Sequence, residues 1–175
     1  MKTRKIIATS LMILAYSTSA HALCIYGGSH FTKSKERDFD GRLYATTTLT
    51  DEFQDSVLVV KGTVLSNRNI GHPYDGDWGT VYRVRINRTF KGKAPPIIHD
   101  YTNRDSGGFY LGEGGEGREY LLFLTPFKGN SWVKKGALGS YEVNYNCGQS
   151  RPWAKVTQKE VKQLNLLASH SPNSN

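Results

Sequence analysis

The chain lacks the residue patterns that most enzyme classes need. Its 175 residues contain 2 cysteines and no C-x-x-C pair, which argues against thiol redox chemistry and a cysteine-rich zinc site. The motifs H-E-x-x-H and G-x-S-x-G are absent, and the histidines are scattered singly. The glycine-rich stretch GEGGEG (112–117) carries two carboxylates, whereas a phosphate site needs backbone amides and positive charge. We therefore predict a protein that is not an enzyme, with no catalytic residues, cofactor or bound metal.

Long hydrophobic runs are also missing. The one extended apolar stretch, residues 6–16, has 11 residues and would cover only about half of a ~30 Å hydrocarbon core. It follows the basic residues Lys2, Arg4 and Lys5 and precedes Ala20-His21-Ala22, a sequence that signal peptidase accepts. We therefore predict a signal peptide over residues 1–22, no membrane span, and export to the periplasm or the medium.

Acidic residues are scarce relative to basic ones. The chain has 23 Lys and Arg against 15 Asp and Glu, a net charge of +8, and removal of the three charges in 1–22 leaves about +5. This balance favours contact with anionic surfaces, while nucleic acid is a poor partner for an exported protein. The remaining length suits one domain, predicted over residues 23–170 and followed by a polar, disordered tail at 171–175.

The two cysteines, Cys24 and Cys147, most simply form one disulfide in an exported chain. A catalytic thiol and metal ligation are the alternatives, and neither is favoured without a second thiol or histidines at ligand spacing. In SYEVNYNC (140–147), Tyr141, Val143 and Cys147 share one strand face, so Cys147 points towards the predicted core.

Strand patterns dominate the middle of the chain. In 56–66, Leu58, Val60 and Val64 share a face that Gly62 interrupts, which is typical of a strand that bulges or bends. Further strands are predicted in TVYRVRINRTF, IIHDYT, EYLLFL and SYEVNYNC, and Arg88 breaks the alternation of the first of these, as at a bulge or a barrel rim. Five strands with turn-rich links predict a mainly antiparallel β protein, a small barrel or sandwich.

The link GHPYDGDWG (71–79) has the Asp-Gly chemistry of a hairpin turn between the first two of these strands. His72, Asp75 and Asp77 could instead bind a cation, although the later ligands of a calcium-binding loop are missing. We favour the hairpin.

One helix closes the chain. Thr157 and Glu160 form a T-x-x-E capping box, which predicts a helix beginning after Thr157. Apolar residues then recur at helical spacing and can lie against the barrel; they are Val161, Leu164, Leu167 and Ala168. A shorter helical turn is predicted at 50–54.

The order of these segments resembles a known family. DSVLVVKGTVLS, YRVRINRTFKG, DSGGFYLGEGGEGREYLLFL and YNCGQSRPW follow one another as in the netrin-like module of the tissue inhibitors of metalloproteinases and of bacterial exported proteins. The similarity spans residues 24–153. It implies a five-stranded OB-type antiparallel barrel with a C-terminal helix, and a disulfide between Cys24 and Cys147.

The chain departs from the family at its expected mature terminus. Family members open with C-x-C, whereas Ala22-Leu23-Cys24 stands here, and Ser106 stands where they carry another cysteine. Their zinc-chelating mechanism needs the cysteine as the first mature residue. The resemblance therefore implies a non-enzymatic module that binds another protein, such as a metalloprotease, through Leu23, Cys24, Ile25 and Tyr26, without assured zinc chelation.

A second site is open from the residues themselves. Arg83, Arg85 and Lys91 share the wet face of the second predicted strand. OB-type barrels often bind extended ligands across such a face, which makes envelope polysaccharide or another anionic surface the alternative partner. A solvated strand face carries such charges in any case.

Overall fold

The computed structural model describes residues 32–37, 43–46, 48–72, 76–103, 109–111, 116–128, 136–137, 139–143 and 148–170. The predicted signal peptide, the segment Leu23 to Tyr26, both cysteines and the tail lie outside these residues. In chain order the elements are β1 (Thr32–Arg37), β2 (Leu43–Thr46), α1 (Leu49–Asp55), β3 (Leu58–His72), β4 (Gly76–Lys91), β5 (Ile97–Asn103), β6 (Glu119–Pro126), β7 (Tyr141–Val143), β8 (Arg151–Pro152), a 3-10 turn at Trp153–Lys155 and α2 (Gln158–Ser169).

Strands β3 to β7 close a barrel. The neighbours run β3-β4-β5-β7-β6, and β6 pairs back onto β3. Four of these pairings are antiparallel, and the β5–β7 pairing is parallel. The predicted five-stranded barrel with a C-terminal helix is confirmed, but the sheet is mixed. Five strands that alternate in direction cannot close a ring without one parallel pair of neighbours, so the exception follows from the odd strand number.

Strand β6 of the barrel is packed against apolar side chains on both of its faces. The strand predicted in EYLLFL is confirmed as β6, and five consecutive residues, Tyr120 to Leu124, are buried. Its alternate residues Leu122 and Leu124 join the interior cluster, whereas Leu121 and Phe123 join an outer cluster beneath the helices. The outer cluster consists of Leu49, Phe53, Val59, Phe90, Leu121, Phe123 and Leu164. A strand buried on both faces reads as a continuous apolar run.

A bulge explains the irregular alternation of β4. Lys61 lies opposite Arg88 and Gly62 lies opposite Ile86, so Asn87 is an extra residue in β4. The bulge predicted at Arg88 is thereby confirmed, and beyond it Arg88 returns to the outer face. There its guanidinium lies 4.7 Å from the Phe90 ring centroid and donates to Asn165 Oδ1 at 2.7 Å.

Both helices begin at capping boxes. Thr157 accepts from the Glu160 N–H and Glu160 accepts from the Thr157 N–H, which confirms the predicted start of α2. Thr48 and Asp51 form the same arrangement before α1, which confirms the predicted helical turn and extends it. The apolar stripe of α2 lies on the outer cluster, with Leu164 fully buried.

Smaller elements complete the described chain. β1 and β2 form a separate two-stranded antiparallel sheet that the sequence did not predict. The hairpin between β3 and β4 is confirmed by the pairing of His72 with Gly76. None of the helices in the described ranges is long and apolar enough to cross a membrane.

Candidate functional site

Two of the predicted basic residues lie side by side on the outer face of the barrel. Arg83 and Arg85 are exposed residues of β4, which is paired along this stretch with β3 on one side and β5 on the other. Arg83 lies between Ser66 and His99, and Arg85 lies between Thr63 and Ile97 in the register. We call Arg83, Arg85 and the exposed His99 the basic strip.

The charges of the basic strip are not neutralised by the described residues around it. Arg85, Thr63 and Glu119 belong to one row of register partners across β4, β3 and β6, which places Glu119 about 10 Å from Arg85 at ~4.8 Å per strand. The Glu119 carboxylate is already engaged, by Lys61 at 2.8 Å and by Asn87 at 3.0 Å. Within the described ranges, neither arginine of the strip forms an ion pair, so both guanidinium groups face solvent.

Lys91 lies elsewhere, although it is also on the outer face. Its ammonium donates to the carbonyl oxygens of Phe53 at 2.8 Å and Gln54 at 2.7 Å, in the last turn of α1. These carbonyls have no partner within the helix, so Lys91 caps the carboxyl end of α1. Burial lowers the pKa of Lys91, and the nearby Asp55 opposes this effect. The structure therefore brings together Arg83 and Arg85 but not Lys91.

The segment that follows Cys147 is anchored to α1. Glu52 is fully buried, and its Oε2 accepts from the Gln149 backbone N–H at 2.5 Å. A Cβ on Gly148 would lie 2.5 Å from Glu52 Oε1, so the glycine allows this close approach. Ser150 Oγ accepts from the Phe123 N–H at 2.9 Å and ties the same segment to β6. The position of Glu52 in the sequence does not indicate that its carboxylate is buried. The hydrogen bond between Glu52 and Gln149 was therefore not predicted.

A second buried acid lies inside the barrel. Asp100 in β5 is fully buried, and within the described ranges neither of its carboxyl oxygens has a hydrogen-bond partner. Burial raises its pKa well above the ordinary value, and the neighbouring Glu142 adds to the effect. The sequence contains a signal for this position, because Asp100 falls on the same parity as the apolar Ile98 in IIHDYT.

The described residues hold no cluster of three or more His, Cys, Asp or Glu side chains that could bind a metal ion. The side chains of His72, Asp75 and Asp77 in the hairpin link, like Cys24 and Cys147, lie outside these residues.

The comparisons with known proteins supply no family. No protein-family model matches the chain, and no curated protein matches it. The closed barrel, the exposed arginines and the anchored segment after Cys147 are therefore the observations from which a function is proposed.

Proposed function

We propose that the chain is an exported, non-enzymatic binding module of the netrin-like type that binds an anionic polymer, such as an envelope polysaccharide, on its basic strip. The observation that carries the proposal is the exposure of Arg83 and Arg85, which lie unpaired among the described residues on a strand bonded on both sides.

The geometry suits an extended anionic ligand. Arg83 and Arg85 are two residues apart on one strand and so are spaced by about 7 Å. A guanidinium group binds carboxylate, sulfate or phosphate oxygens in a planar, bidentate way that an ammonium group cannot reproduce. Because β4 is paired on both sides, the Cα positions of the two arginines are already fixed. Little backbone entropy is therefore lost on binding.

The expected strength is modest for each contact. Exposed ion pairs contribute roughly 0.2–1 kcal/mol each and are screened by salt. Two or three such contacts do not hold a single sugar, whereas a polymer offers many binding registers and can bridge several copies of the protein. We therefore expect salt-sensitive binding to a polyanion and no measurable binding to its monosaccharide.

The test is charge reversal on two different faces. Arg83→Glu/Arg85→Glu is compared with Lys159→Glu/Lys162→Glu on the exposed side of α2, which produces the same change in net charge. Retention on immobilised alginate, with neutral dextran as a blank, is measured at about 0.05 and 0.15 M salt. We expect the strip variant to lose retention at least tenfold and the helix variant to keep most of it. Equal losses in both variants, or none in either, would contradict the proposal.

The amino-terminal edge is the second candidate, because the Glu52–Gln149 hydrogen bond fixes the segment next to Cys147 on α1. A disulfide from there to Cys24 would hold Leu23, Ile25 and Tyr26 against the same side of the barrel, where a protein such as a metalloprotease could bind. Intact mass measurement of the processed protein gives its first residue and the oxidation state of both cysteines. Inhibition of a zinc endopeptidase that disappears when one alanine is added before Leu23 would support this edge, and indifference to the added alanine would count against it.

A further inference from the structure

The interior acid Asp100 lies at the point where the barrel closes with its parallel pairing. In the described residues β5 and β7 share two register pairs, Asp100 with Tyr141 and Tyr101 with Glu142. By contrast, β3 and β6 share six pairs, and β4 and β5 share seven. We call the four residues Asp100, Tyr101, Tyr141 and Glu142 the β5–β7 seam. Few paired residues make this seam the least supported closure of the described barrel.

No hydrogen-bond donor and no cation among the described residues acts on the Asp100 carboxyl group. Tyr82 of β4 and Tyr141 of β7 are its register neighbours, and Glu142 of β7 is the charged group that acts on it. Tyr120 of β6 donates its hydroxyl to the Leu111 carbonyl at 2.7 Å and so is not available to Asp100.

The pKa values of two other titratable groups near the seam, Tyr82 and Glu142, are also raised. Burial raises the pKa of Tyr82, a backbone hydrogen bond with Leu111 partly offsets this effect, and Asp100, Tyr110 and Tyr120 oppose ionisation of the hydroxyl. Burial also raises the pKa of Glu142, although the Lys128 backbone N–H and the Lys128 ammonium favour its charged form. The cation of this group therefore acts on Glu142 and not on the interior acid.

We propose that the β5–β7 seam is a proton-operated closure of the barrel, in which Asp100 carries its proton while the seam is closed and releases it to solvent when the seam opens. The protonated carboxyl is neutral, and burying it costs far less than burying a carboxylate without a partner. Opening exposes Asp100 to water, where the carboxylate is the stable form above about pH 4.

The sign of the pH dependence follows from linkage. A carboxyl whose pKa is raised in the closed state stabilises that state fully below the ordinary pKa of Asp, and this stabilisation is lost as the pH rises towards the raised value. Across that interval the opening constant increases by up to about tenfold per pH unit, and above the raised value it levels off. Glu142 shifts in the same direction, so its ionisation adds to the trend and does not oppose it.

The β5–β7 seam also connects the interior of the barrel to its surface. His99 and Asp100 are consecutive residues of β5, and their register partners Arg83 and Tyr82 are consecutive residues of β4. Opening of the seam therefore removes the β7 partner of the strand that carries His99 of the basic strip, while β5 stays paired with β4. This link is independent of whether the strip binds a polyanion, because the seam is tested without any ligand.

The experiment is residue-level amide hydrogen exchange on the full processed protein, measured by NMR from about pH 5 to 8 and corrected for intrinsic exchange rates. Amides at 100–102 and 141–143 report on the seam, and those at 121–123, in the β3–β6 pairing, serve as internal controls. We expect the seam amides to exchange faster than the controls, with an opening constant that rises at least tenfold between about pH 5 and 7. Asp100→Asn should abolish most of this rise, because the amide does not titrate.

Glu142→Gln separates the two acids of the seam. We expect this variant to keep most of the rise, since it leaves Asp100 in place. A flat wild-type profile would overturn the proposal, as would a rise that survives Asp100→Asn and disappears in Glu142→Gln. Seam and control amides that share one opening constant would mean global unfolding and would also overturn it. The wild-type profile decides the question even if Asp100→Asn fails to fold.

Discussion

Replacement of Gly62 by alanine tests how tightly the barrel is packed where β3 faces the bulge of β4. Gly62 lies on the inner face, and a Cβ there would be 2.5 Å from Val84 Cγ1 and 3.2 Å from the Arg85 carbonyl oxygen. Carbon atoms pack best at about 3.5–4.0 Å, so Val84 would have to move by about 1 Å. Val84 is fully buried in the interior cluster, so a shift of its side chain moves it against other core side chains.

The magnitude is set by two opposing effects. Overpacking of a dense core costs about 1–3 kcal/mol, and the lower chain entropy of alanine in the unfolded state returns about 0.4–1 kcal/mol. We expect Gly62→Ala to lower the free energy of unfolding by about 1–2 kcal/mol. In urea this corresponds to a midpoint lower by roughly 0.5–1 M with an unchanged slope.

A double-mutant cycle isolates the contact. Val84→Ala removes the methyl groups that the new Cβ would meet, so the double variant should be more stable than the sum of the two changes by at least about 1 kcal/mol. Gly139→Ala is the control, because Gly139 has a φ of +74° and, apart from its chain neighbours, no atom of the described residues lies within 4 Å of an added Cβ. Its cost should be purely conformational, about 1 kcal/mol, and independent of Val84. A Gly62→Ala variant as stable as wild type, or an additive cycle, would refute the argument.

Two further predictions concern α2. Leu164 is fully buried and Leu166 is 60% exposed on the same helix, so Leu164→Ala should cost about 2–5 kcal/mol in urea unfolding and Leu166→Ala less than about 0.5 kcal/mol; similar losses would mean that α2 does not pack on the barrel as described. The pKa of Glu160 is lowered, chiefly by the hydrogen bond from the Thr157 N–H, so its contribution is present above the ordinary Glu pKa and is lost as the pH falls through the lowered value. Glu160→Gln should therefore flatten the acid limb of stability in thermal melts between about pH 5 and 3, and an unchanged acid limb would contradict this assignment.

The parts of the fold that could be predicted from the sequence are those whose structure is determined by one local pattern. The strand segments follow from period-2 alternation, and α2 follows from the Thr157 and Glu160 pair that brackets its first turn. The bulge was also predictable, because Arg88 violates an otherwise regular alternation. Each of these features depends on residues that are close together in the chain.

The parts that the sequence did not predict depend on residues that meet only after closure. Lys91 reads as one more charge on a wet strand face, and only the position of α1 shows that its ammonium is bonded to helix carbonyls. Glu52 and Gln149 are far apart in the chain, so their hydrogen bond has no local signature. Asp100 differs, because an acid on an apolar parity is visible in the sequence, but its isolation from partners is not.

The pairing of β3 with β6 has a consequence for folding during synthesis. Leu58 and Leu124 are register partners, and 124 − 58 = 66 residues separate them along the chain. A polypeptide made from its amino terminus therefore leaves one edge of β3 without its strand partner until β6 has been synthesised. Distant pairing of this kind slows folding and lengthens the period in which a nascent chain can aggregate.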